Sequence, residues 1–410
     1  MRLRHIAQVN PPSPAFDRLS DDADISFLRM ESVWPKKWHA LGEVRRKSDV
    51  LLGFTRFQDG DILVPKITPT FEASRSILVD GLSSGAGAGT TELHVVRPGH
   101  DVYPLFLMYL MHSHSFLRFG EAEMYGVAGQ KRVPDEFLRD LEVWVPGFDE
   151  QQRIAGFLDA EVGRIDQLQV ARRRQLGLLE EKSRVLVDHE IDRLVSNSGV
   201  VAFRRIIRSI EQGSSPQCDA VPAGLDEWGV LKLSSIKSGK FHPSENKRMP
   251  GGVEVDARFR LSSGDLLITR ANTPELVGDA AVVCGEVGNL LLSDLVYRVD
   301  LGGQMNADYV CAVIRGSRVR GRIQAAARGS SRSMVKLRGE DIRSWEIPAA
   351  SRKEQMDFVA RVKNQLDVTG WLRSKIERQI RLLEERKRAL ITAAVTGQID
   401  VTTVRGADVS

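Results

Sequence analysis

Among its 410 residues the sequence holds only three cysteines, Cys218, Cys284 and Cys311, and no two are spaced as a CxxC pair. That scarcity excludes a disulfide framework and a thiolate-rich metal cluster, and it fits a reducing cytoplasm. Long apolar runs are missing too. No window approaches the roughly 18 continuous apolar residues that span a bilayer, and the basic start MRLRHIAQVNPPSP leads into no apolar segment of a secretory leader. Nor is there a strong excess of one charge: 58 Lys and Arg face 54 Asp and Glu, a net charge of +4 with a sequence pI near 8.9. Such a balance permits contact with nucleic acid without demanding it. With 42% hydrophobic and 27% charged residues, the chain has ordinary globular composition and room for two to four compact units, at roughly 100–200 residues each.

What is present is a duplication. The segment Arg174-Gln175-Leu176-Gly177-Leu178-Leu179-Glu180-Glu181 matches Arg378-Gln379-Ile380-Arg381-Leu382-Leu383-Glu384-Glu385 at an offset of 204 residues. The same offset carries Glu150-Gln151 onto Glu354-Gln355, and Gly60-Asp61-Ile62-Leu63-Val64 onto Gly264-Asp265-Leu266-Leu267-Ile268. A slightly shifted match, FLRMESV at 27–33 against VLKLSSI at 230–236, extends it toward the start of each half. Two copies of one unit therefore follow each other along the chain.

Within each copy the texture changes once. Residues 1–148 and 198–350 combine Gly, Pro and Ser with short β-branched runs such as Ile62-Leu63-Val64 and Ala280-Ala281-Val282-Val283, and they carry helical stretches at Tyr103–His112 and Tyr309–Arg315. These are predicted as two mixed α/β domains. Residues 149–197 and 351–397 lack proline and carry apolar residues at helical spacing, predicting two long helices; residues 398–410 form a tail. In the first helix Leu158, Ile165, Leu179 and Leu186 share a seven-residue register, broken by Arg172; in the second the register runs through Val362, Thr369, Ile376, Leu383 and Leu390. So narrow a stripe predicts an antiparallel coiled coil of rods about 60 Å long, with an approximate internal two-fold relating the halves. The other reading of the stripe lays each helix on its own domain. Two reading heads on one face of a DNA duplex need a separation near 34 Å or a multiple of it, which such rods could supply.

Motifs for chemistry do not hold up. Gly85-Ala86-Gly87-Ala88-Gly89 lacks the GxGxxG spacing of a dinucleotide cradle and reads as a mobile loop. No GxxxxGK[ST] phosphate loop occurs, so ATP-driven translocation is not expected to reside here. Asn10-Pro11-Pro12-Ser13 is similar to the NPP-aromatic motif that holds a flipped adenine, but Ser13 cannot stack on a base, and the segment reads as a proline-rich lead-in. His112-Ser113-His114 has no second ligand cluster and reads as surface or helix-end histidines.

The run Pro146-Gly147-Phe148-Asp149-Glu150-Gln151-Gln152-Arg153-Ile154-Ala155-Gly156-Phe157-Leu158, followed by Ile165-Asp166-Gln167-Leu168 and LLEEKSRVL, resembles the specificity subunits of Type I restriction-modification enzymes. So does ERKRALITAAVTGQID at 385–400, and the resemblance covers essentially the whole chain. It implies two target-recognition domains (1–148 and 198–350), each reading half of a bipartite, asymmetric site in double-stranded DNA, with the helices acting as spacer and docking surface. It further implies two methyltransferase subunits as partners, which would bind S-adenosylmethionine, and restriction subunits that would carry ATP and Mg. This chain itself would hold no cofactor and catalyse nothing. The alternative is a structural adaptor whose divergent domains hold two other proteins at a set distance. The second copy departs from the pattern where Thr369-Gly370 replaces Ile165-Asp166, a glycine that weakens a helix by about 1 kcal/mol relative to alanine.

Base reading calls for Arg or Lys toward guanine and Asn or Gln toward adenine, beside basic groups that hold phosphates. The repeated strand leads into Lys66 in one copy and Arg270, with Asn272, in the other. A second loop, Gly129-Gln130-Lys131-Arg132, matches Gly329-Ser330-Ser331-Arg332. These loops are the candidate DNA contacts. In the second helix, residues 352–397, eleven Lys and Arg oppose six Asp and Glu, which could draw the phosphates of spacer DNA. Phe157, Phe358 and Trp371 flank the helical stripe as candidate partner contacts.

Overall fold

The structure is a computed structural model that describes residues 1–401 apart from 36–41, 127–129, 225, 304, 327 and 332–333, with the backbone alone described over 328–331. Two compact units emerge, one of Met1–Arg173 with Glu377 onward, the other of Arg174–Ile376. The boundary thus cuts through both long helices, Phe148–Ser198 and Arg352–Val395. Each unit owns the half of each helix that packs on it.

In the first unit a four-stranded antiparallel sheet runs in the order Ala7–Val9, Leu93–Pro98, Ile62–Pro65, Ile77–Leu78. Ile62, Leu63 and Val64 are all fully buried, because this central strand is covered on both faces and its side chains must be apolar on both. The second unit repeats the order with Ser209–Gln212, Val296–Asp300, Leu266–Thr269 and Ala280–Val282. A second four-stranded sheet in the first unit sets Asp24–Leu28 parallel to Ala86–Gly89, flanked by Glu43–Arg46 and Thr55–Gln58. Its counterpart pairs Gly229–Leu231 in parallel with Leu290–Leu291, flanked by Asn246–Arg248, while the fourth strand is reduced to a single bridge between Arg260 and Leu291. The duplication seen in sequence is therefore a duplication of topology.

That second sheet corrects the expectation of a mobile glycine loop. Residues Ala86–Gly89 form a strand buried along its length. A Cβ on Gly87 would lie 2.2 Å from the Phe57 ring and one on Gly89 would lie 2.6 Å from the Leu28 carbonyl oxygen. The glycines are there because neighbours close over the strand.

The long helices join the cores at both of their ends. In the first unit Ile154, Ala155, Phe157, Leu158 and Val162 of one helix, and Ile391, Ala394 and Val395 of the other, pack with Leu3, Phe106 and Leu107. In the second unit Phe358 and Val362, and Ile191 and Leu194, pack with Tyr309, Ile314 and Trp345. Between these anchored ends the stripe is thinner: Leu158 and Ile165 are buried, whereas Leu179, Leu186, Ile376, Leu383 and Leu390 are half-buried. Ion pairs give the direction of pairing within each unit. In the first, Asp166 meets Lys387 at 2.6 Å and Arg173 meets Glu384 at 3.4 Å. In the second, Glu180 meets Arg373 at 2.6 Å and Glu190 meets Arg361 at 3.0 Å. As one number rises the other falls, so the segments run antiparallel. Gly370 lies within the second helix with open space around it.

One residue ties each domain to its helix. Gln151, 1% exposed, donates from Nε2 to the carbonyls of Asp101 (3.0 Å) and Pro146 (2.9 Å) and accepts at Oε1 from the Tyr103 amide (2.8 Å). Gln355 repeats this with the Ala350 carbonyl (2.9 Å), Met305 Sδ (3.1 Å) and the Asn306 amide (2.8 Å). The matched Glu-Gln pairs of the sequence owe their second member to this clasp. The second helix is also closed at its start by a reciprocal cap, in which the Glu354 carboxylate accepts from the Ser351 amide at 2.8 Å and the Ser351 hydroxyl accepts from the Glu354 amide at 3.4 Å.

Candidate nucleic-acid interface

Lys66 and Arg270 sit on the same rung of the two units. Each follows the central strand. The Lys66 amide donates to the Glu92 carbonyl and that of Arg270 to the Leu295 carbonyl, both at 2.8 Å. Their own carbonyls accept from Val133 and Leu337, both at 2.9 Å. Neither side chain is free. Lys66 Nζ donates to the Thr91 carbonyl at 3.0 Å, and burial pushes its pKa below the ordinary lysine value. Arg270 donates from Nε to Tyr297 Oη at 3.2 Å and from Nη1 to the Asp294 carbonyl at 3.4 Å. Asn272 is half-buried and accepts at Oδ1 from the Thr273 amide.

The second candidate loop lies directly beside Lys66. Arg132 exchanges backbone hydrogen bonds with Tyr125, at 2.9 and 3.1 Å, and forms an isolated bridge with Ile67. The Lys131 amide donates to Thr68 Oγ1, and Lys131 and Gln130 are exposed. The Arg132 guanidinium is clamped by Glu92, with Nη2 to Oε1 at 2.7 Å and Nε to Oε2 at 2.9 Å. That contact holds the Glu92 carboxyl below its ordinary pKa. Sequence reasoning missed Glu92, since a carboxylate is not what an anionic ligand calls for.

The counterpart of this loop is not the one read from sequence. Arg332 lies outside the described residues. The pairing of Ala271 with Lys336 matches that of Ile67 with Arg132, so the structural equivalent of Arg132 is Lys336, 204 positions on. Matching Gly129 with Gly329 shifted the register by four and hid it. Lys336 is exposed, and Leu295 takes the place of Glu92 beside it.

Other sequence candidates find structural roles. Asn10 adopts a φ of +52°, accepts at Oδ1 from the Val95 amide at 3.0 Å and meets His94 Nδ1 at 3.2 Å. Next to it a cleft of about 450 Å3 is lined by Pro12, Ser13, Phe54, Arg56 and Lys66. His112 bonds to Ser74 Oγ and the Ser76 carbonyl, and His114 is exposed at the start of a helix. Phe157 and Phe358 are 7% and 0% exposed. They are core residues rather than partner contacts, because the first turns of each long helix are sunk into its own domain; Phe358 meets the Tyr309 ring edge-on at 5.4 Å. Trp371 remains 60% exposed, with Lys375 Nζ 5.6 Å from its ring. Among the described residues no His, Cys, Asp and Glu group is placed to hold a metal, and no helix is long and apolar enough to cross a membrane.

Fold and surface together define a mixed α/β protein whose two units repeat one topology, each with segments of two long helices packed on it. No family model matches the sequence. The chain is 25% identical to the Type I restriction enzyme EcoEI specificity subunit of Escherichia coli, over 92% of this chain and 78% of that one. It is 41% identical to the EcoAI specificity subunit of the same species over 37% of this chain and 26% of that one. Among solved structures, a chain from work on complex assembly and conformational transition of the Type I restriction-modification system shares the fold with a TM-score of 0.73, at 14% identity over 97% of both chains. The HsdS subunit from Thermoanaerobacter tengcongensis aligns with a TM-score of 0.50, at 14% identity over 97% of this chain and 96% of that one. Along most of its length the chain is thus similar to specificity subunits of Type I restriction enzymes, and it shares their fold.

Proposed function

We propose that each unit reads one half of a bipartite, asymmetric site in double-stranded DNA, and that the paired helices set the unread spacer and dock two methyltransferase subunits. On this reading S-adenosylmethionine is bound by the methyltransferase. Two restriction subunits, when present, supply ATP- and Mg-dependent cleavage. The observation that carries the proposal is the combination of one topology with two different loop surfaces. Both units present a basic residue on the same rung after the central strand, yet the neighbouring positions differ, Glu92 with Arg132 in one and Leu295 with Lys336 in the other. A shared scaffold with divergent polar loops suits two half-sites of different sequence.

The test is an exchange. Residues 1–147 are replaced by the equivalent domain of a relative of known motif, the chain is produced with its methyltransferase, and methylated adenines are mapped. One half of the motif should change while the other half and the spacer stay. An unchanged motif, or the absence of any bipartite motif with the wild-type chain, would reject the proposal in favour of an adaptor that holds two proteins.

A further inference from the structure

Arg132 combines three properties. Its backbone is pinned from both sides, by Tyr125 and by the Ile67 bridge. Its guanidinium is fixed by a two-point contact with Glu92. It nevertheless stays open to solvent, its side chain 41% exposed. The clamp uses Nε and Nη2, and among the described residues Nη1 has no partner. The end-on edge formed by Nη1 and the second Nη2 hydrogen is therefore left as a pair of parallel donors, the arrangement that matches O6 and N7 of guanine in the major groove.

Charge sharpens the distinction. An unpaired arginine is drawn to any phosphate, which improves affinity without regard to sequence. With Glu92 in contact the pair is close to neutral, so the pull on phosphates is largely cancelled while the directional donors remain. Immobilisation also removes part of the rotamer entropy that binding would otherwise cost. At the equivalent rung of the second unit, no carboxylate among the described residues pairs with Lys336, and Leu295 occupies the place of Glu92. Lysine is a point charge without a planar fork. It suits a phosphate oxygen, not a base edge.

We propose that Arg132, held in place by Glu92, reads a guanine in the half-site of the first unit, and that Lys336 holds a backbone phosphate in the second. Arg132 is the contacting residue and Glu92 a positioning residue. This inference rests on the DNA-reading function proposed above.

The experiment maps methylated motifs, and measures the salt dependence of DNA binding, for the full chain with its methyltransferase. Arg132→Ala should turn one G·C position of one half-site degenerate, with discrimination there falling about 10- to 100-fold, while the other half-site stays intact as an internal control of folding. Arg132→Lys should keep overall affinity without restoring that discrimination. Glu92→Gln keeps the size but releases the charge, so non-specific binding should strengthen and its salt slope should steepen by about one phosphate equivalent. Lys336→Ala should leave both half-sites unchanged and flatten the slope by a similar amount. The inference is overturned if the wild-type motif is bipartite and Arg132→Ala leaves every position specified, or if Arg132→Lys reads the site as well as arginine does. A wild-type chain that yields no bipartite motif would instead remove the DNA-reading function itself.

Discussion

Replacing Gln151 by leucine probes how each domain is fixed to its helix. The substitution keeps side-chain volume but deletes three hydrogen bonds made by a residue that is 1% exposed. Each ordinary hydrogen bond contributes about 1 kcal/mol net, and a donor or acceptor left buried without a partner costs about 1–3 kcal/mol. The Tyr103 amide and two carbonyls would be stranded together, so we expect a loss of about 3 kcal/mol in the first unit. Gln355→Leu should cost less, about 2 kcal/mol, because one of its three partners is Met305 Sδ, a weak acceptor. Hydrogen exchange followed by segment is the suitable assay, since two units need not unfold together. Amides of residues 103–111 should exchange roughly 100-fold faster in Gln151→Leu, those of 307–315 should respond only to Gln355→Leu, and each variant should leave the other unit protected. If neither substitution changes protection by more than about twofold, the clasp does not hold these elements and the reasoning is refuted.

Two further outcomes follow from burial. His94 and His112 have pKa values pushed down from the usual 6.5 to about 4 by burial, and His94 sits with Nε2 on the Val133 carbonyl and Nδ1 facing Asn10 Nδ2. A depressed histidine pKa means that the unfolded state takes up the proton first, so their contribution is complete above pH 6.5 and is lost as pH falls from 6.5 to about 4. The first unit should weaken by about 2 kcal/mol per histidine between pH 7 and pH 5, and denaturant midpoints that stay level over that range would contradict this. Phe358→Ala should destabilise the second unit by about 3–5 kcal/mol, the cost of emptying an aromatic site in a core; a variant with wild-type stability and lost partner binding would instead restore Phe358 to an interaction surface.

The repeat was legible because a fixed offset of 204 preserves both strand order and helix register, from Ile62 onto Leu266 and from Gln151 onto Gln355. The helix stripe was equally readable, since period marks the shielded side. Depth of burial was not, because periodicity is the same for a residue in a thin seam and one in a domain core; hence Phe358 read as flanking the seam when it is fully buried. The division into two units was hidden for a related reason, as nothing in the helix sequence says that its two ends serve different cores. At the candidate interface the basic rung of Lys66 and Arg270 could be found by type and spacing. The pairing of Arg132 with Glu92 joins residues 40 positions apart and depends on strand register, which a loop of uncertain alignment cannot supply.

The order of parts along the chain bears on how it is made. The second unit draws on one continuous stretch, Arg174–Ile376, and can close as soon as that stretch has left the ribosome. The first begins emerging much earlier but needs Ile391, Ala394 and Val395 to finish its interior, so it must wait, with part of its apolar surface uncovered, until those residues have been synthesised. Nascent chains stalled before residue 391 should accordingly carry a finished second unit and an open first one, and it is in that interval that chaperone protection matters most.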